Sequence, residues 1–204
     1  MKNNIELIEK LSKEFSYLPG VGEKTALKMA YFYVYHKNLV GGLINSLSNV
    51  FNNVEECSIC HIITTKDNNP CNICTDERRD KHIICIVEST QDVFSIEKSN
   101  SFNGIYHVLG GLISPISGIS YKDLHILDLP KRINSSNFEI LIATNLNTEG
   151  DATALFIRNL FKNNKNVKFT RLASGLPIGG DLQYTDEYTI GKAVSGRVKY
   201  ESQD

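Results

Sequence analysis

Four of the five cysteines in this 204-residue sequence fall into two CxxC pairs, Cys57-Ser-Ile-Cys60 and Cys71-Asn-Ile-Cys74, separated by ten residues. No other feature restricts the fold as sharply. A two-residue spacer lets both sulfurs of a pair point at one ion, and two such knuckles surround a tetrahedral Zn2+ at Zn–S distances of about 2.3 Å. The stretch between them leaves room only for a small hairpin, and Asn68-Asn69-Pro70 supplies a turn before the second knuckle. Two disulfides or four unrelated core cysteines are the competing readings. Five cysteines are too few for a disulfide-dense secreted scaffold, and an odd number suits a reducing compartment. Four thiolates close the coordination sphere, so the expected Zn2+ is structural, one per chain, and not catalytic. Such binding is worth about 10–16 kcal/mol, enough to fold a segment with little core of its own. His61 adjoins Cys60 and could compete as a ligand, but it reads as a surface histidine, since four sulfurs suffice. Cys85 lies in an apolar run and reads as a small core residue.

The chain on either side of this cluster is organised differently. Up to about Val54 it is helical: Ile5, Ile8, Leu11 and Phe15 form one stripe, and Leu27, Ala30 and Val34 line a face of a second helix. From Ile83 on, apolar runs alternate with helical stretches. Ile83–Val87 reads as a buried, parallel strand, with further strands at Gly104–Leu109, Glu139–Ala143 and Val167–Leu172. Helices are expected at Gln91–Ser99 and Ala152–Lys162, and from about Thr185 after a Gly-rich loop. The fold class is therefore α/β in several parts: an N-terminal helical region (1–54), a four-cysteine finger (55–80), an α/β domain with a mostly parallel sheet (81–173) and a C-terminal loop and helix (174–204).

Leu18-Pro19-Gly20-Val21-Gly22-Glu23-Lys24-Thr25 joins the first two helices. It is not a nucleotide P-loop, because Glu23 stands where that motif needs Gly and a helix, not a strand, precedes it. The pattern fits a helix-hairpin-helix, in which Gly20 and Gly22 bare backbone N–H groups at a helix N-terminus to grip a phosphate. Lys24 and Lys28, one helical turn apart, extend that grip to a neighbouring phosphate, independently of base sequence. A plain turn between two packed helices is the alternative.

In the α/β region, Glu88 follows the first strand, where open sheets place their sites. The strand at 139–143 runs into Thr144-Asn145-Leu146-Asn147-Thr148-Glu149-Gly150-Asp151. This arrangement resembles a Toprim domain, the metal-dependent module of topoisomerases and primases. Glu88 matches that module's glutamate, Asn145 and Asn147 occupy its two DxD positions, and Glu149 and Gly150 match the residues that follow. Two amides in place of two carboxylates remove two negative charges from a Mg2+ site. Weak binding of a metal or a partner through Glu88, Glu149 and Asp151 is still expected, but strand cleavage is not.

In their order, Leu18–Thr25, Cys57–Cys74, Ala143–Ala152 and Leu172–Tyr184 resemble the RecR family of bacterial recombination mediators over nearly the whole chain. The resemblance implies a DNA-binding clamp without enzymatic activity that assembles as a ring-like tetramer. It implies action with RecO, and with RecF where present, to load RecA on single-stranded DNA in DNA repair. It also implies subunit contacts through the N-terminal helices and C-terminal segment, and DNA contact through Lys24 and Lys28. The family usually has Arg where this chain has Lys28, which keeps the charge and loses bidentate geometry. Asp181, Asp186 and Glu187 match an acidic stretch described in the family as Walker-B-like, without a convincing Walker A. A Toprim nuclease or topoisomerase-like enzyme, and a zinc-ribbon adaptor with no DNA role, are the readings to be distinguished from this one.

Charge and hydropathy fit a mediator better than a DNA-coating protein. With 22 Lys and Arg against 23 Asp and Glu, the chain has no general excess of positive charge. Residues 1–50 nevertheless carry six Lys against four Glu, so a neutral total conceals a basic hairpin. Charges interrupt the apolar residues of 1–15, which excludes a signal peptide, and the uncharged stretch 99–121 is too rich in Gly and Ser for a membrane helix. A cytoplasmic protein without membrane contact is expected.

Overall fold

The computed structural model describes residues 2–133, 137–164 and 166–199. It divides into two compact units, Met1–Val54 and Glu55–Asp204.

The first unit is three helices, α1 (Lys2–Ser16), α2 (Glu23–Tyr35) and α3 (Lys37–Asn53). α1 packs on α2, and the rings of Phe15 and Tyr33 stack across the pair with centroids 5.9 Å apart. Ala26 and Ala30, one turn apart on α2, are fully buried; side chains this small let helix backbones approach closely. The α1–α2 turn depends on Gly20, whose φ of 77° lies in the left-handed region that a Cβ disfavours. α3 begins directly after His36, so the helical region contains one more break than its periodicity suggests. It buries none of its own residues and leaves Leu39, Ile44, Leu47, Val50 and Phe51 exposed.

The second unit is built on a four-stranded parallel sheet of β3 (Asp80–Val87), β4 (Gly104–Val108), β5 (Phe138–Ile142) and β6 (Val167–Arg171), in the order β4-β3-β5-β6. A two-stranded sheet of β1 (Val54–Glu56) and β2 (Ile63–Thr65) and the short helix α4 (Asn72–Thr75) come before it. Crossovers α5 (Thr90–Glu97), α6 (Leu129–Arg132) and α7 (Thr148–Leu160) join the parallel strands, and α8 (Glu187–Ser195) follows the C-terminal loop. α7 starts before Ala152 because Asn147 caps it: its side chain accepts from the Gly150 N–H at 2.8 Å.

Strand alternation builds two cores. Ile84, Ile86, Ile140 and Ile142 face one way and pack with Leu129, Ile157 and Phe161. Cys85, Val87, Tyr106 and Val108 face the other way, with Val93 of α5 and with Cys57, Cys60, Ile62 and Cys71. The cysteine segment therefore serves as a layer of the sheet's second core. Each large apolar side chain fully buried here contributes about 1.5–3 kcal/mol. No helix among the described residues is long and apolar enough to cross a membrane.

Candidate functional site

The two knuckles close on each other. Cys57 N–H donates to the Ile62 carbonyl at 2.8 Å, which folds the first knuckle back, and α4 carries the second. Asn69 links them: its side-chain oxygen accepts from Ser58 N–H at 2.9 Å, and its amide donates to Glu55 Oε1 at 2.6 Å. The Cys60 and Cys71 sulfurs lie 3.5 Å apart, those of Cys57 and Cys74 4.0 Å, and all four lie within 4.8 Å of one another. Four sulfurs bonded at 2.3 Å to one tetrahedral ion stand about 3.8 Å apart. Packed this closely, the thiols ionise unequally. The Cys71 thiol, accepting from those of Cys60 and Cys74, is held well below its ordinary value, while the Cys60 thiol is pushed up, first by its hydrogen bonds to Cys71 and Cys74 and then by burial. Only a bound cation allows all four to be thiolates together.

Arg132 supports that assignment. Its Nη1 donates to the Tyr106 carbonyl at 2.6 Å and to His107 Nδ1 at 3.1 Å, but Nη2 is buried with no partner among the described residues. Burial pushes the guanidinium pKa down and the four cysteines pull it up. A divalent ion with four thiolates leaves an excess of two negative charges, for which a buried guanidinium is the matching counter-charge. The donor set, its spacing and this cation fit a metal ion.

In the first unit, Gly22 is the N-cap of α2 and offers no side chain to cap it. Residues 22–25 and Lys28 are exposed, and neither Lys24 nor Lys28 is in an ion pair among the described residues. The hairpin thus presents an uncapped helix N-terminus and two adjacent cations.

The acidic residues of the sheet turn are dispersed. Glu88 accepts from the Asn145 side-chain amide at 2.8 Å. Asp151 pairs with Arg171 at 2.5 Å, and the Glu149 carbonyl accepts from Thr153 at 2.7 Å. Glu88, Glu149 and Asp151 form no metal-ligand group among the described residues. Gly150 is required where it stands, since a Cβ there would lie 1.9 Å from the Asn145 carbonyl oxygen. Glycine therefore lets the first turn of α7 close over the loop that brings Asn145 to Glu88.

Three family models match the sequence: Toprim domain over residues 82–173, the RecR helix-hairpin-helix over 8–47 and the RecR C-terminal segment over 175–198. The chain belongs to the RecR family. Its role is that of a recombination mediator in DNA repair, with DNA binding and recombination partners implied by the family. Seen as a RecR chain, its parts fall into place on the fold just described. The hairpin match contains the exposed Lys24 and Lys28, and the Toprim match contains β4, β5, β6 and all but the first two residues of β3. The two aspartates of the RecR C-terminal match are helix caps: Asp181 accepts from Gln183 N–H at 3.0 Å and Asp186 from Thr189 N–H at 2.9 Å, and Glu187 opens α8.

One reading made from the sequence is overturned. His61 is not a surface histidine. Only 15% of its side chain is exposed, its φ is 62°, and its ring stacks on His125 and meets His107 edge-on. Burial, followed by the nearby His125, lowers its pKa. His125, Asp128 and Arg132 carry no motif, and their roles appear only once the chain is folded; Asn69 reads from the sequence as part of a turn, and its link between the knuckles appears only in the fold.

Proposed function

We propose that this chain is one subunit of a ring-like tetrameric clamp, which grips DNA without sequence preference and works with RecO, and RecF where present, to promote RecA loading on single-stranded DNA. The observation that carries this reading is the α2 N-terminus, with no capping side chain and with Lys24 and Lys28 exposed one turn apart. Backbone N–H groups and the helix dipole attract a phosphate there, and the lysines take its neighbours. Gly20 and Gly22 shape the turn. The exposed apolar side chains of α3, and of Ile178 and Tyr184 in the C-terminal segment, support contacts between subunits. A ring multiplies hairpins of modest affinity into a field that a chain of near-zero net charge lacks.

The cysteine cluster would hold one structural Zn2+ per chain, through Cys57, Cys60, Cys71 and Cys74. The functional parts correspond to 1–54, 55–80, 81–173 and 174–204, in a cytoplasmic protein. The chain would act by binding and not by catalysis: Glu88 is occupied by an amide, and Asn145 and Asn147 supply no charge for a Mg2+ ion. Glu88, Glu149 and Asp151 remain as a polar surface for a weakly held metal ion or a partner.

DNA binding measured by fluorescence anisotropy across a salt series tests the hairpin. Lys24→Ala should weaken binding on every sequence and reduce the slope of log K against log[salt] by about 1. Unchanged binding overturns the hairpin assignment. Mass in solution with and without DNA tests the ring, and a strict monomer under all conditions overturns it. Mg2+-dependent nicking that Glu88→Gln abolishes would overturn the non-enzymatic reading.

A further inference from the structure

Outside the cysteine cluster, a second group of ligating side chains converges on one point. Glu56 ends β1, His61 follows Cys60, and His125 and Asp128 bracket a single 3-10 turn. The two imidazoles lie face to face, with centroids 3.7 Å apart and planes within 3°. Each ring turns one nitrogen to Glu56 and the other to Asp128. Glu56 Oε2 lies 3.7 Å from His61 Nδ1 and 3.1 Å from His125 Nε2. On the opposite edge, Asp128 Oδ2 lies 3.5 Å from His61 Nε2 and 4.0 Å from His125 Nδ1. The ligand atoms of Glu56, His61 and His125 all fall within 4.8 Å of one another.

The backbone holds both rings in place. His61 N–H donates to the Cys57 carbonyl at 3.0 Å, within the first knuckle. His125 N–H donates to the Leu109 carbonyl at 3.0 Å, and the His125 carbonyl accepts from His107 Nε2 at 2.9 Å. Beside the group lies a cavity of about 440 Å3 lined by Glu56, His61, Glu88, Thr90, Phe94 and Gly110.

We propose that Glu56, His61 and His125 form a second metal site, for a divalent first-row transition ion such as Zn2+ or Co2+, with a coordination position open to this cavity. Two imidazoles and one carboxylate are the donor set of open zinc sites, as distinct from the closed four-thiolate kind. Asp128 stands where an outer carboxylate fixes the tautomer and orientation of ligating histidines. Lone pairs of parallel rings do not converge, so an ion at this site would rotate the rings toward each other and open the stack. The competing arrangement is a histidine pair held between two carboxylates by charge alone, with no ion.

The test uses the full chain with its cysteine site first filled by Zn2+, titrated with Co2+. Wild type should take up one further ion per chain, with visible d–d absorption and no thiolate-to-metal charge-transfer band. His125→Ala and Glu56→Gln should each abolish that uptake while keeping the cysteine-bound ion. Asp128→Asn should weaken it by about 10–100-fold. A wild-type chain that takes up no further ion overturns the proposal, as does an extra ion retained at equal affinity by both His125→Ala and Glu56→Gln.

Discussion

The cysteine cluster and the Toprim turn both bring ligand-type residues together in the second unit, and they differ in what is left for a metal to do. At the cluster, four sulfurs face one another, and the Arg132 guanidinium, drawn to them by charge, keeps one buried nitrogen unpartnered among the described residues. At the turn, the Asn145 amide occupies Glu88, Arg171 occupies Asp151, and Asn147 caps α7. The first set is frustrated without a cation; in the second, Glu88 and Asp151 already have partners. Residue type alone does not separate them, because carboxylates are the better ligands for Mg2+ and thiolates for Zn2+. What separates them is whether the local structure supplies other partners.

Metal removal should test the difference most strongly. Because Cys57, Cys60 and Cys71 belong to the sheet's second core, a strong chelator or Cys71→Ser should loosen Val87, Tyr106 and Val108 as well as the knuckles. The lost binding energy is on the order of 10–16 kcal/mol. Thermal unfolding and amide exchange should both register it, whereas a Mg2+ chelator should leave them unchanged. A chelated chain that keeps its melting temperature would remove the contrast.

The next largest effect concerns pH. His107 is fully buried in the sheet, and its two ring nitrogens are engaged in the neutral form: Nε2 donates to the His125 carbonyl, and Nδ1 accepts from Arg132. Burial, and to a smaller extent the Arg132 charge, holds its pKa down at about 3, against an ordinary 6.5. As pH falls below about 6.5, the unfolded chain takes up a proton that the folded chain refuses until about pH 3. Stability from this group is complete above the upper limit and declines steadily through that window. Urea unfolding at stepped pH should show a shallower decline for His107→Gln than for wild type. Parallel curves would remove His107 as the cause.

These contrasts also show what the sequence can convey. The knuckles were legible because a metal requires fixed local spacing, and the parallel strands because burial on both faces leaves continuous runs such as Ile83–Val87. The hairpin was legible because Gly20 must adopt a positive φ in a short turn. The engagement of Glu88 by Asn145 was not legible, since parallel crossovers bring together residues from separate strand ends. The same applies to His61 and His125, whose meeting depends on the cysteine segment lying against the sheet. Arg132 gave no signal for a related reason: its place is set by the Tyr106 carbonyl on a neighbouring strand. Local patterns record local constraints, and the group of histidines arises from tertiary packing alone.

Giving the turn the charge it lacks should have a smaller effect. Asn145→Asp would replace the amide that donates to Glu88 at 2.8 Å with a second carboxylate. The site is solvent-exposed, so loss of the hydrogen bond and gain of like-charge repulsion should cost about 1 kcal/mol. Mg2+ should restore that loss in the variant and leave wild type unaffected, as read from melting temperatures at matched ionic strength. Equal Mg2+ responses would mean that Glu88 is already a ligand and that its amide partner is displaceable.

The smallest expected effect comes from Arg171→Ala, which frees Asp151 at the other side of the turn. Both side chains are partly exposed, at 35% and 58%, so the pair is screened and its loss should cost less than about 1 kcal/mol. Asp151 lies in the first turn of α7, where a carboxylate favours the helix dipole whether or not Arg171 is present. The melting temperature should therefore hardly move, and less at high salt than at low. The informative readout is Mg2+ affinity in the Asn145→Asp background. If freeing Asp151 there strengthens Mg2+ binding, the turn is at most a weak metal site in wild type because its carboxylates are engaged elsewhere. If it does not, the loss of the two DxD charges is sufficient by itself, and the ion pair with Arg171 serves only to fasten β6 to α7.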